Sequence, residues 1–339
     1  MAERIVVHIG DSKTGSTALQ VALRQAARDE NLLFPGEALN HNGLARALSR
    51  RKLSHLFEPR FRAVWDEISA SSAQIAALSA ELFQAVPPSD LLRAIEMFWP
   101  APRPPMSFHA YCRPHISRLV AMYSERIKVG KPVGTIDAYA ARICRGRRLD
   151  YAPRFAEWER VFAPHFHLRP YPARGDVVAD FFAQALPGVP PPAGGERLNA
   201  TLTAAQVSLL QRVPSLAQSM NITHPLSSQT HRLICMKLRQ SGVGASSPLP
   251  RMSADLVRRV QNRFAEDARK MDRYFFGGTL FQNALRDAVA SDQQDEMEPL
   301  RRSDIDKFDT MARAILEEAH GDPQGHHNRA QEELRRVLP

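Results

Sequence analysis

Over the first 190 residues, short apolar runs alternate with stretches whose apolar residues recur every three or four positions. This is the pattern of βαβ units in a mostly parallel sheet. Residues 4–9 read as a buried strand. A turn rich in Gly, Ser and Thr follows, and then 16–29 reads as a helix with Leu19, Ala22, Leu23, Ala26 and Ala27 on one face. Segments 74–79, 106–112 and 166–171 are three further strands. The second of these runs into a helix with Pro114 at its first position, where a missing N–H costs nothing. The third leads to a helix over 176–186. Residues 187–195 (PGVPPPAGG) sustain neither a helix nor a sheet ladder and mark a loop or subdomain boundary. Beyond it the pattern is helical only. Its strongest segment is 253–276, whose stripe of Leu256, Val257, Val260, Phe264, Ala268 and Met271 reads as core. From about residue 291 the chain turns polar and charge-rich, and an exposed tail or loosely packed helices fit best. The fold expected is α/β, a mostly parallel sheet flanked by helices: an α/β core over 1–190, a helical part over 195–290, and a polar tail over 291–339. No internal repeat is visible.

Composition narrows the function classes. The chain has 339 residues with 44 % hydrophobic and 24 % charged, which excludes a disordered, collagen-like or disulfide-scaffold chain. The formal charge of +9 suits an anionic ligand, a polyanionic substrate or a lipid headgroup surface, and equally a solvated basic surface. Cys112, Cys144 and Cys235 are odd in number and far apart, so a reducing cytoplasm is the expected compartment. The apolar run within residues 1–10 is too short for a signal segment or a membrane span, which leaves the sequons at Asn199 and Asn221 without weight. His320, His326 and His327 read as a Gly/His-rich tail before they read as metal ligands, and no metal is expected. Arg142, Arg145, Arg147 and Arg148 form a basic loop suited to an acidic glycan or lipid headgroup, or simply to water. Arg50, Arg51 and Lys52 read as surface, and Trp158 and Phe162 as core.

The segment richest in chemistry is Gly10-Asp11-Ser12-Lys13-Thr14-Gly15-Ser16-Thr17, after the first strand and opening the first helix. A helix N-terminus offers unpaired N–H groups and the positive end of the macrodipole. Two glycines let the backbone wrap closely around a ligand. Lys13 adds a full charge, and Thr14, Ser16 and Thr17 add hydroxyls. Together they make an anion cradle, most naturally for phosphate; the plainer alternative is a turn capped by Ser16 or Thr17. It is not a Walker A loop, because Lys13 precedes the second glycine instead of following it.

The run from His8 to Gln20 resembles the 5′-phosphosulfate loop of bacterial PAPS-dependent sulfotransferases, PAPS being 3′-phosphoadenosine-5′-phosphosulfate. Further segments are similar to that family in the same order: 41–48 (HNGLARAL), 79–83 (SAELF), Tyr111-Cys112-Arg113 with its helix to Tyr123, 175–182 (GDVVADFF) and Arg197-Leu198-Asn199. The resemblance spans about residues 4–285 and implies a P-loop NTPase-like sulfotransferase fold. It also implies that Lys13 and the backbone of Ser12, Lys13, Thr14, Gly15, Ser16 and Thr17 hold the donor's 5′-phosphate and bridging oxygen. Charge grows on that oxygen as the S–O bond breaks, so a fixed cation there favours the transition state. Such a donor is commonly worth about 3–4 kcal/mol. Arg113 matches the family's ligand for the 3′-phosphate. The Ser that the family places eight residues later is Ala121 here, with Ser117 and Ser124 nearest to the same helical face.

The transfer also needs a base for the acceptor's proton. Glu81 aligns with a family position that often holds His, and His41, in His41-Asn42, matches a recurrent pair. An imidazole is near its ideal for proton transfer at neutral pH, whereas a carboxyl needs burial to reach it. The expected activity is sulfuryl transfer from PAPS, with PAP as product, to a hydroxyl or amine of a small-molecule or glycan acceptor. The alternatives are a Mg²⁺/ATP-dependent P-loop kinase and a non-enzymatic basic anion-binding module. No nucleic-acid partner is expected, because helix-turn-helix and RNA-binding signatures are lacking. Peripheral contact with an anionic membrane and the oligomeric state stay open.

Overall fold

Five parallel strands make the centre of one of the two units into which the chain divides. The computed structural model describes residues 1–28, 30–49, 55–172, 176–192, 201–291 and 300–337. The first unit comprises Met1–Pro114, Asp150–Asn199 and Glu266–Gln282; the second comprises His115–Leu149, Ala200–Ala265 and Asn283–Pro339. The strands are β1 (Arg4–His8), β2 (Leu32–Leu33), β3 (Ile75–Ser79), β4 (Met106–Cys112) and β5 (Phe166–Pro170). The helices begin with α1 (Ser16–Ala26), α2 (Asn42–Ser49), α3 (Phe57–Ala70), α4 (Pro88–Phe98), α5 (His115–Lys128), α6 (Ile136–Cys144), α7 (Tyr151–Phe162) and α8 (Val177–Ala185). They continue with α9 (Ala204–Leu210), α10 (Val213–Ser219), α11 (Ser228–Gln240), α12 (Ala254–Met271), α13 (Leu280–Ser291), α14 (Arg302–Gly321) and α15 (Pro323–Val337).

The sheet order is β2-β3-β1-β4-β5, parallel throughout. Both of its faces are covered, which is why β1 and β3 read as unbroken apolar runs. On one face Val6, Ala77 and Tyr111 pack with Leu19 and Leu23 of α1 and with Val177, Phe181 and Phe182 of α8. On the other, Phe162 of α7 stacks on Phe108 at 3.9 Å, with Trp158 behind it; both were expected in the core and are buried. From β1 the chain leads over β3 to the β2 edge, whereas from β4 it leads to β5 on the opposite side. Neighbouring strands whose connections diverge open a crevice at their carboxyl ends, the usual ligand position in open α/β sheets. The segments after β1 and β4 flank that crevice.

The register sets Ser79, His8, His109 and His167 in one row across β3, β1, β4 and β5. His8 Nδ1 shares a hydrogen bond with Ser79 Oγ (2.8 Å), which also accepts from the Gln20 amide (3.1 Å). The His109 and His167 rings lie 4.9 Å apart, and Phe181 sets its edge against both His8 and His109. Burial, reinforced by the neighbouring imidazole in each case, lowers both His8 and His109 to about 3.

The strands lie within a few residues of the expected positions: 4–9 ends at His8, 74–79 begins at Ile75 and 166–171 ends at Pro170. The first helix stops at Ala26, short of the expected 29. Pro114 precedes α5 instead of opening it. Asp176 caps α8, its carboxylate accepting from Val178 N–H at 2.8 Å. The strong segment 253–276 is α12 followed by a π-helical turn, Asp272–Phe276, and its whole stripe is buried.

In the second unit His115 stacks on Phe264 at 4.5 Å, and Gln211 donates to both Tyr123 Oη (3.0 Å) and the Gly134 carbonyl (3.2 Å). Of the two forms expected beyond residue 291, an exposed tail or loosely packed helices, residues 302–337 take the helical one, with a buried stripe in place of loose packing. They form α14 and α15, which pack with α10 and α11. Phe308, Ala312, Ile315, Leu316 and Ala319 put one buried stripe under a charged exterior, and Arg212 grips Asp309 through two hydrogen bonds of 3.0 and 2.6 Å. In the same region the His320 ring stacks on His224 and His326 is buried beside Glu318. Among the described residues no group of three His, Cys, Asp or Glu is placed to hold a metal, and no helix is long and apolar enough to cross a membrane.

Candidate functional site

The loop between β1 and α1 takes three left-handed residues in six positions: Gly10 (φ 68°), Lys13 (φ 71°) and Gly15 (φ 79°). At the two glycines space as well as φ excludes a side chain. A Cβ at Gly10 would stand 2.7 Å from Glu81 Cα, and one at Gly15 would stand 2.6 Å from Val177 Cγ1. Lys13 has no such exemption. A left-handed non-glycine residue costs on the order of 1–2 kcal/mol, and such strain gathers at binding sites. Thr14 closes the loop, its hydroxyl donating to the Asp11 carbonyl at 2.5 Å. Gly15 occupies the N-cap of α1, so no side chain caps the helix, and no acidic residue lies in its first turn. The Ser16 hydroxyl, buried at 4 % exposure and near Gly10, has no hydrogen-bond partner among the described residues. An uncapped, acid-free helix start with a buried hydroxyl and an adjacent lysine brings together the kinds of donor that an anion would use.

Three further groups gather around this loop. The 3₁₀ turn Glu81–Ala85 lies on one side, with Glu81 against Gly10 and Gln84 Oε1 accepting from Ser12 N–H at 3.3 Å. Tyr171, just past β5, lies on the other. Its ring edge is 3.5 Å from where a Gly15 Cβ would be, and the Arg113 guanidinium sits 4.1 Å from its ring centroid. Arg113 and the Lys13 loop are thus brought to one place through Tyr171, which the sequence reading missed. The third group is Arg154 of α7, which reaches the fully buried Asp11 carboxylate at 3.0 Å while lying over the Phe155 ring. It neutralises a negative charge that would otherwise oppose an anion in the loop. An aromatic at a strand end was the only available sign of Tyr171, and nothing in the spacing pointed to Arg154.

His41 and Glu81 come out differently. His41 is buried, with both ring nitrogens occupied: Nε2–H donates to the Pro35 carbonyl (3.0 Å) and Nδ1 accepts from Ser79 N–H (3.0 Å). Burial lowers it to about 4. With both nitrogens bonded to backbone groups, the ring presents no nitrogen toward an acceptor in this structure. Glu81 is half-buried and borders the loop.

Ala121 and Ser124 are buried in α5 of the second unit and Ser117 is exposed there. Arg142, Arg145, Arg147 and Arg148 are exposed at the end of α6, with Arg142 over the Tyr139 ring. Gly175, Arg197-Leu198-Asn199, Arg50, Arg51 and Lys52, and 193–195 of the Pro/Gly stretch lie outside the described residues. No family model, curated protein or solved structure matches the chain.

Proposed function

We propose that this chain is a PAPS-dependent sulfotransferase that moves a sulfuryl group onto a hydroxyl or amine of a small-molecule or glycan acceptor. The observation that carries the reading is the loop 10–17: a left-handed Lys13, an uncapped helix start and a buried Ser16 hydroxyl that no described residue bonds, with the Arg113–Tyr171 stack beside it. One phosphate-sized anion fits the loop by the chemistry of its donors, and Arg113 supplies a second cationic fork for the 3′-phosphate. Lys13 and the N–H groups opening α1 would stabilise charge on the bridging oxygen as it leaves. Glu81, beside Gly10, takes the base's role from His41. It would accept the acceptor's proton while the acceptor oxygen bonds to sulfur and the sulfur–oxygen bond to the 5′-phosphate breaks, releasing PAP.

The test is calorimetric binding of PAP without Mg²⁺, with ATP and AMP as controls. Binding should favour the 3′-phosphate and weaken about 10- to 100-fold in Lys13→Ala and in Arg113→Ala, the worth of a hydrogen bond to a charged group. Absence of PAP binding, or ATP binding that depends on Mg²⁺, overturns the proposal; the second result would favour a kinase.

A further inference from the structure

We infer that His41 and Asn42 are a positioning pair that sets Glu81 against the anion loop by holding the backbone on both sides of it; the inference rests on the reading of Glu81 as the base. Glu81 follows β3 at a point where the ladder has ended, and the sheet no longer fixes the chain. What replaces the ladder comes largely from two adjacent residues at the start of α2. His41 holds Ser79 twice, its own N–H donating to the Ser79 carbonyl (2.8 Å) and its ring accepting from Ser79 N–H (3.0 Å). Asn42 Oδ1 accepts from Leu82 N–H (3.0 Å). Glu81 therefore lies between two clamped residues, and the Ala80 N–H bond to the His8 carbonyl (3.0 Å) ties the same segment to β1, immediately before the loop.

The clamp is itself braced. The His41 ring donates to Pro35 and sets its edge against Phe34 at 4.7 Å, and the Asn42 N–H is held by the Asn40 side chain at 3.1 Å. Such bracing fixes the tautomer. The Pro35 carbonyl can only accept and the Ser79 N–H can only donate, so the ring is neutral with its proton on Nε2. The turn borders the loop at two points, Glu81 on Gly10 and Gln84 on Ser12, and the Asn42 bond to Leu82 bears on the Glu81 end of that border. Reacting groups tolerate little misplacement; about 1 Å can cost on the order of 10²-fold in rate.

The full-length protein is tested with PAPS turnover, to water or to an acceptor, followed as PAP release, and with PAP affinity. Asn42→Ala, which avoids the buried His41, should lower kcat about 10- to 100-fold while KM for PAPS and PAP affinity stay within about twofold. Asn42→Asp keeps an oxygen for the Leu82 N–H and should restore most of the rate. In a Glu81→Gln background Asn42→Ala should add nothing, because a residue acting only through Glu81 has nothing left to position. The inference is overturned if Asn42→Ala leaves kcat unchanged, if it weakens PAP binding as much as it slows turnover, or if its effect persists in Glu81→Gln. A wild-type protein that neither binds PAP nor turns over PAPS overturns the sulfotransferase reading itself, and the inference falls with it.

Discussion

Acid should weaken the sheet unit long before its carboxylates titrate. His8, His41 and His109 are buried and neutral, with folded values near 3, 4 and 3 against an ordinary 6.5. Because each folded value lies below the unfolded one, the unfolded chain takes up these three protons first. The stability they confer is complete above 6.5 and is lost as pH falls from there toward 3–4. At pH 5 the folded forms are still unprotonated, so the loss is set by the unfolded value alone. It amounts to about 2 kcal/mol per histidine, or about 6 kcal/mol for three, against a usual total of about 5–15 kcal/mol. The assay is urea unfolding at pH 7, 6 and 5 followed by tryptophan fluorescence. Trp65, Trp99 and Trp158 are the chain's three tryptophans, and all belong to the sheet unit. The midpoint should fall steeply between pH 7 and 5. His109→Phe, which keeps an aromatic ring beside Phe181 but takes no proton, should lose about 2 kcal/mol less over the same range. A midpoint that is the same at pH 7 and 5, or a His109→Phe protein as acid-sensitive as wild type, would refute the reasoning.

Two substitutions probe the anion loop without a ligand. Gly15→Ala meets both a left-handed φ and Val177 at 2.6 Å, and should cost about 2–4 kcal/mol in chemical unfolding. Gly188→Ala, at φ 90° but in open space, should cost only the backbone part, about 1–2 kcal/mol; equal losses at the two sites would count against the packing argument. Arg154→Ala takes the guanidinium from a fully buried carboxylate and should destabilise by about 3–5 kcal/mol, much of it recovered in the Asp11→Asn, Arg154→Ala double variant. If the double variant is as unstable as the single, the Asp11 charge is not the source of the loss.

The strands with continuous apolar runs, the loop after β1 and the stripe of α12 were legible in the sequence because each is a local pattern. β2 was not: two residues, Leu32 and Leu33, have no periodicity to detect. The stripe of α14 was present in the sequence at Phe308, Ala312, Ile315, Leu316 and Ala319, but the charges around it dilute it, so the pattern left a tail and loosely packed helices equally open. Lys13 stood out because glycines flank it, whereas Arg113 and Glu81, at strand ends, were singled out by the resemblance of their segments to the sulfotransferase family. The bonds of His41 to backbone groups of Ser79 and Pro35 could not be foreseen, because spacing does not reveal them. The row of His8, His109 and His167 exists only through strand register, and Tyr171 meets Gly15 and Arg113 only through the fold.

Each unit is assembled from three separate stretches of chain, and this fixes a timetable during synthesis. When β5 leaves the ribosome at Pro170, all five strands exist, yet the π-helical turn Asp272–Phe276 that packs on β5 has still to be made. At about 5–20 residues per second the sheet edge waits on the order of 5–20 s for that cover. A chain ended in the Pro-rich stretch near residue 190, where composition alone suggests a natural stop, would keep every strand and leave that wait without end.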